Sequence, residues 1–331
     1  MKLPLEGFQN QLFKISDEPT DDSYGTYPAK RTIEQRKDVG FILLDKPKAT
    51  RSKTAAIIAK SILSGIGVSK IGYSGTLDPN VTGLLPLALN RANKAISMLL
   101  IGGKEYMALM HLHKQVDEGI LREMLKQFTG TITQLPPVRS NVKRQYRERE
   151  VYYSEILEID DKDVLFKIGV ESGTYIRKLI HDIGEKLGVG AHMSELRRTK
   201  VSTLSEKNHL VTLQDLEDAV YYHDKEGDDR LLSYVLQNIE DAIDFLPKVF
   251  LSDSAVDPVC RGSPLAVPGI VRTNRFETGD TVFMSSLKGE LIAIGVASMS
   301  STDVVNGKKG IAVKTDSVIM KTDTYPRYVK K

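Results

Sequence analysis

A loop with one carboxylate carries the clearest chemical signal in the chain. Residues 71–90 read IGYSGTLDPNVTGLLPLALN: a Gly/Ser/Thr-rich turn ends at Asp78, Pro79 pins it, and Thr82-Gly83 lead into an apolar run from Leu84 to Leu89. A polar loop feeding straight into core sets its acid at the lip of a rigid scaffold, where catalytic carboxylates are often held. Asp before Pro, among Gly and Thr, is also the ordinary sequence of an Asx-type turn, and spacing alone favours the turn. Lys46, Tyr106 and Arg177 are the other conspicuous polar residues beside strands or helix starts. His111 and His113 share one strand face without a third ligand beside them, which disfavours zinc. There is no Gly-rich phosphate loop and no dinucleotide fingerprint. The chemistry expected is therefore one that needs no bound metal, nucleotide or redox cofactor.

The elements that must position these groups follow from hydrophobic periodicity. Gly40–Asp45 reads as a short buried strand stopped by Lys46-Pro47. Ala55, Ile58, Ala59, Ile62 and Leu63 recur at helical spacing, and Gly65 and Gly67 end that helix. Residues 91–100 read as a short helix, and Lys104–Leu112 as a strand with Tyr106, Ala108, Met110 and Leu112 on one face. Asp117 caps a helix carrying Ile120, Leu121, Met124, Leu125 and Phe128. Residues 151–159 and 163–170 form a hairpin, and Ile176, Leu179, Ile180, Ile183 and Leu187 define an amphipathic helix with Arg177 in its first turn, off the apolar stripe. Residues 195–200 form a short basic piece. Thr212 and Asp215 resemble a capping pair for a helix over 213–220, and another helix covers about 230–238.

Length and composition bound the rest. At 331 residues the chain is comfortable for two domains, and 41% apolar with 27% charged residues is ordinary for a globular protein. No stretch approaches a membrane span, the first ten residues lack a signal-peptide plan, and the lone Cys260 excludes an intrachain disulfide; a cytoplasmic protein fits best. Charge is unevenly spread: residues 1–38 hold 6 Lys/Arg against 7 Asp/Glu, residues 247–331 hold 12 against 8. A basic C-terminal module fits a polyanion partner or simply a solvated surface. Residues 1–38 form a polar, Pro-broken arm that cannot bury a core alone. Residues 39–246 read as a larger α+β domain. After Pro247 the texture becomes short β-like runs, a small all-β barrel. Between them, Arg139, Lys143, Arg144, Arg147 and Arg149 put five cations into eleven residues around Tyr146, a composition suited to single-stranded nucleic acid.

These segments carry a family resemblance. GYSGTLDPNVTGLLPLAL at 72–89 resembles the catalytic-aspartate motif of the TruB-like pseudouridine synthases. LDKP at 44–47, KEYMAL at 104–109, SGTYIRKL at 172–179 and ELRRTK at 195–200 resemble that fold's other motifs, in the same order. PPVRSNVKRQ at 136–145, DTYPR at 323–327 and the β module resemble, more narrowly, the archaeal dyskerin-like branch that catalyses within H/ACA guide-RNA ribonucleoproteins. Two departures stand out. Tyr73 replaces the histidine that usually opens the aspartate motif, and Lys48-Ala49-Thr50-Arg51-Ser52 replaces a Gly-Pro-Thr-Ser-type turn, so a different backbone solution and an added positive charge are expected there.

The resemblance implies an α+β catalytic domain with a mixed β-sheet core, followed by a small β-barrel PUA domain over 247–331, and an arm over 1–38 packed on the PUA domain. It implies isomerisation of uridine to pseudouridine in RNA, with Asp78 as nucleophile. Arg177 would grip the carboxylate at two points, Tyr106 would stack on the flipped base and possess a hydroxyl able to move a proton, and Leu196, with Tyr175 and Ile176, would wall off water. Lys46 and Pro47 would brace the loop from below. Residues 139–149 would cover the substrate RNA, and Arg261, Gly262, Arg272 and Lys309 are candidates for guide-RNA contact. Implied partners are an H/ACA guide RNA, substrate rRNA or tRNA, a small zinc-ribbon-like protein, a glycine-arginine-rich-family protein and a ribosomal-protein-like kink-turn binder. A stand-alone synthase acting on the T-loop of tRNA and a non-catalytic RNA scaffold are the competing readings.

Overall fold

The apolar runs become the middle of one large sheet. In the computed structural model, which describes residues 2–6, 11–136, 143–307 and 309–327, strand β1 (Gly40–Lys46) lies antiparallel to β2 (Thr82–Leu89), every residue of which beyond Thr82 is buried. Continuing outward from β2, the order is β7 (Ala191–Val201), β3 (Lys104–Leu112), β6 (Asp163–Val170), β5 (Arg147–Asp160) and β4 (Gly130–Gln134). All these neighbours are antiparallel except β2 and β7, which run parallel and meet over only two pairs, Thr82 with Arg197 and Gly83 with Arg198. Two antiparallel blocks are thus joined at one short seam. Gly83 has φ +96°, and a Cβ there would lie 2.3 Å from the Arg198 carbonyl, so the seam requires glycine.

Helices cover the sheet. α1 (Ser52–Ser64) and α2 (Leu213–Glu226) pack over the β1–β2 block, where Ala55, Ala59, Leu63, Leu216 and Ala219 close on Ile42, Leu44, Leu85 and Leu87. Asp117 caps the helix Glu118–Gln127 through the Gly119 and Ile120 N–H groups, and Thr212 and Asp215 form a complete capping box. Residues 91–100 are two 3-10 turns, Asn90–Lys94 and Ile96–Leu100, instead of one helix. The turns close by i to i+3 bonds, Ala95 N–H to the Ala92 carbonyl and Met98 N–H to the Ala95 carbonyl, and the Asn93 side chain takes the Asn90 carbonyl that an α-helix would use.

The C-terminal unit supplies six strands of a seven-stranded sheet wrapped on Val249, Val256, Val282, Met284, Ile292 and Val313. It is not all β: Asp253–Cys260 is a helix, ended beyond Pro258. Its core also merges with that of the larger unit, since Phe283, Leu291, Ile294 and Ile319 pack in one cluster with Phe41, Leu84 and Ile243.

Residues 12–26 of the N-terminal arm are ordered by this unit, whereas Leu3 is buried and Glu6 pairs with Lys200 of the larger unit. Leu12–Lys14 adds a strand to Ile270–Asn274, and Thr20 and the Asp21 N–H both donate to the Asp253 carboxylate. Glu290 accepts from the Thr26 N–H at 2.8 Å, Ser286 Oγ at 2.8 Å and the Tyr325 hydroxyl at 2.6 Å, so arm and tail meet on one carboxylate. Further along, Thr32 caps the helix Ile33–Val39.

Arg31 forks onto Glu240 at 2.7 Å through both nitrogens, and Glu240 also accepts from the Leu291 N–H at 2.8 Å, tying arm, larger unit and C-terminal unit together. Both side chains are buried, at 7% and 8% exposure. Removing one partner strands a buried charge, so Glu240→Gln is expected to cost ~3–5 kcal/mol in urea denaturation. The paired Arg31→Met/Glu240→Met change should recover most of that loss.

Candidate active site

Asp78 is held through its neighbours on both sides. Ser52, at the start of α1, is 1% exposed; its Oγ accepts from the Leu77 N–H at 2.8 Å and donates to the Leu77 carbonyl at 3.0 Å. Lys46 is fully buried and donates to the carbonyls of Pro47 (2.8 Å), Thr50 (2.7 Å) and Pro79 (3.1 Å). Burial, and then the charge of Arg198, push its ammonium below the usual lysine range. Ala49 stands left-handed at φ +61°, the backbone solution adopted where the family turn is replaced, and Lys48 pairs with Glu195.

Across from the loop, Arg177 leaves the first turn of helix α3 (Ile176–Lys186) and pairs with Asp78 through one nitrogen and one carboxylate oxygen. The contact is single, whereas a two-point grip was expected. Both side chains are more than half exposed, 57% and 58%, so water competes at an open mouth. Gln134, 2% exposed, locks the start of this helix: it accepts from the Tyr175 N–H at 3.0 Å and donates to the Tyr175 carbonyl at 3.2 Å.

A cavity of about 570 Å³ opens beside the pair, and Asp78, Tyr106, Arg177 and Leu196 all line it, with Tyr175, Ile176 and Met193 adding apolar wall. Tyr106 follows a bulge between Glu105 and Tyr106 where β3 meets β7, and its cross-strand partner is Arg198. A bulge beside a site re-aims the side chain that follows. Tyr73, in the strand Ile71–Tyr73, pairs with Leu87 and packs on the α1-side core, while the loop's contribution to the cavity begins at Gly75.

Two further cations line the cavity. Lys104 is 4% exposed, and burial, with the like charge of Arg198, lowers it to about 7. Its Nζ donates to the carbonyls of Leu99 (3.0 Å), Leu100 (3.3 Å) and Gly102 (2.6 Å) and to Ser172 Oγ (3.1 Å), linking the 3-10 turns to the loop ahead of Arg177. Arg198 is 1% exposed. Lys104 and Arg198 lie inside the segments KEYMAL and ELRRTK but carried no assigned role there, and neither did Ser52 or Gln134; the alternation of β7 is the one signal that would have sent Arg198 inward.

The candidate RNA contacts are dispersed. Lys143, Arg144 and Tyr146 are exposed, Tyr146 at 73%, and Arg147 opens β5 opposite Gln134; Arg139 lies outside the described residues. Arg261 follows the Asp253–Cys260 helix and pairs with both Asp257 and Asp323, and Gly262 next to it has φ +88° with open space around it. Arg272 stacks on Phe250 at 4.5 Å and donates to the Leu287 carbonyl, so it serves the fold, while Lys309 is exposed. His111 bonds Asp163 at 2.7 Å and His113 meets His192 at 3.2 Å; among the described residues no three His, Cys, Asp or Glu side chains are grouped to hold a metal ion. No helix among them is long and apolar enough to cross a membrane.

The site is thus an acid–arginine pair at the mouth of a pocket walled by tyrosine and leucine, on a mixed sheet with an appended β unit. The profile of the TruB family pseudouridylate synthase N-terminal domain matches residues 62–176, that of the tRNA pseudouridylate synthase B C-terminal domain 177–244, and that of the PUA domain 247–319. The probable tRNA pseudouridine synthases B of Methanopyrus kandleri and Pyrococcus abyssi are 46% and 47% identical over 98% of this chain and 95% and 97% of their own lengths. Among solved structures, a Cbf5–Nop10–Gar1 complex matches at TM-score 0.94 and 45% identity, over 98% of each chain. An H/ACA ribonucleoprotein bound to a substrate RNA containing 2′-deoxyuridine matches at 0.93 and 43%, over 99% of this chain and 100% of that one. The chain belongs to the TruB family of pseudouridine synthases, and it is an RNA pseudouridine synthase.

Two outcomes follow from the geometry. Ser52→Ala frees Leu77 from both of its side-chain tethers; stability should fall by ~1–3 kcal/mol and single-turnover conversion by roughly tenfold or more, with RNA affinity unchanged. For Lys104, the folded state binds fewer protons than the unfolded chain between about 7 and its free value near ~10.4. Wild type should therefore gain stability over Lys104→Met as pH rises through that window, with no change below it, measured by denaturation from pH 6 to 10.

Proposed function

We propose that the chain isomerises uridines in rRNA under the direction of an H/ACA guide RNA, with Asp78 as nucleophile. The pairing of Asp78 with Arg177 at the mouth of the cavity that Tyr106 and Leu196 line is the observation that carries this reading. Asp78 takes part in breaking the C1′–N1 bond, Arg177 aims the carboxylate, Tyr106 stacks on the flipped uracil, and Leu196 with Tyr175 and Ile176 keeps water from the freed base. The open mouth fits a site that is dried by its RNA. We assign that covering role to residues 139–149 and guide-RNA contact to the C-terminal unit, with Gly262 and Lys309 better placed than Arg261 and Arg272, whose guanidinium groups already have partners.

Partners of this reading are guide RNA, a small zinc-ribbon-like protein of the Nop10 kind and a glycine-arginine-rich protein of the Gar1 kind, in line with the complexes that resemble this chain. A ribosomal-protein-like kink-turn binder completes the proposed particle, and the setting we propose is cytoplasmic. A second reading, stand-alone modification of the tRNA T-loop in the same pocket, is favoured by the names of the curated relatives.

Mapping pseudouridine after incubation of the full chain with target rRNA, with and without guide RNA and partner proteins, and with bare tRNA, separates the readings. Guide-dependent product on rRNA supports the first and product on bare tRNA the second. Asp78→Asn should abolish product on both; product from it would sink the nucleophile assignment.

A further inference from the structure

Arg198 has no use in the fold alone that accounts for its cost. It stands on β7 at the seam, paired in register with Gly83 on one side and directly opposite Tyr106 on the other. Its guanidinium is buried beneath the Asp78 loop, where Nε donates to the Leu84 carbonyl at 2.8 Å. Nη2 is buried without a hydrogen-bond partner. Nη1 lies so close to Gly75, which has φ +70°, that a Cβ there would sit 2.9 Å away. No carboxylate among the described residues pairs with it, and complete burial disfavours its charge, while the Tyr106 hydroxyl favours it. An unpaired buried cation is several kcal/mol unfavourable, and adjacent Arg197, which points the other way, has both Asp45 and Glu206.

We propose that Arg198 is a positioning residue that acts through Tyr106, holding the tyrosine oxygen against the bound uracil so that it takes the C5 proton. The proposal rests on the reading of Asp78 and Tyr106 given above. Once C5 has bonded to C1′ and the Asp78 carboxylate is free again, C5 still carries its hydrogen and N1 is doubly bonded to C6. The Tyr106 oxygen takes the C5 proton as its own phenolic proton leaves to solvent. The C5–H pair forms the C5–C6 double bond, the C6–N1 pair moves to N1, and N1 takes a proton from solvent. A guanidinium on the residue paired with Tyr106 is suited to this task, because it donates without being able to compete for the proton.

The test is single-turnover conversion by the full chain, in whichever RNA assembly the wild type is active, with the target uridine carrying hydrogen or deuterium at C5. Arg198→Lys keeps the charge and loses the fork. The expected result is a rate about 30-fold lower, RNA affinity within twofold, and a C5 isotope effect that rises to about 2 or more, because proton removal becomes limiting. A wild-type rate, or a slower rate with an unchanged isotope effect, overturns the proposal. If Arg198→Lys fails to fold, Tyr106→Phe decides: it must raise the isotope effect with Arg198 intact, and an unchanged value overturns the proposal equally. Asp78→Asn separates the two levels, since product from it removes the underlying reading, whereas its inactivity beside a wild-type-like Arg198→Lys removes this proposal alone.

Discussion

Everything in the catalytic half depends on two residue pairs. Where β2 and β7 run parallel for the length of Thr82–Gly83 and Arg197–Arg198, two antiparallel blocks become one sheet. The Asp78 loop comes from one block; Tyr106 and Leu196 come from the other, and Arg177 from a helix packed on it. A seam this short brings the edges of both blocks to one point and leaves a cleft between them. The cleft is the cavity. Gly83 permits the approach, and Arg198 fills the space directly behind it.

The loop is stiff for a reason unrelated to loop composition. Leu77 and Pro79 are bound by buried side chains from α1 and β1, so the residue between them inherits their rigidity while keeping its own side chain exposed. Lys104 and Gln134 do the same for the opposite wall, anchoring Ser172 and Tyr175 on either side of the turn that delivers Arg177. Precision at the surface is thus obtained from polar groups that are themselves out of reach of solvent.

The legible parts of the sequence were those in which one residue type has one use. The apolar run 84–89 could only be core, Asp117 and Thr212 could only cap, and the Asp78 motif became specific once its companions were recognised in order. The illegible parts were those in which a residue's fate is set by strand parity or by a distant partner. Arg197 and Arg198 are identical in type and adjacent, yet pleating sends one to two carboxylates and the other beneath the active site. Residues 91–100 carry helical periodicity, but the Asn93 side chain takes the Asn90 carbonyl that an α-helix would need. The helix Asp253–Cys260 was hidden by its brevity and by Pro258.

The carboxylate shared by Thr26 and Tyr325 also sets a schedule for the growing chain. Thr26 is separated from Glu290 by 264 residues, and Leu12–Lys14 has its strand partner at Ile270–Asn274. At translation rates of ~5–20 residues per second, the stretch over residues 12–26 waits on the order of ten to fifty seconds for the surface that orders it. Its polar, proline-broken composition is well matched to that interval, because it gives a nascent chain nothing to bury prematurely. The same composition that looks uninformative in the finished protein is what keeps the arm free until its dock exists.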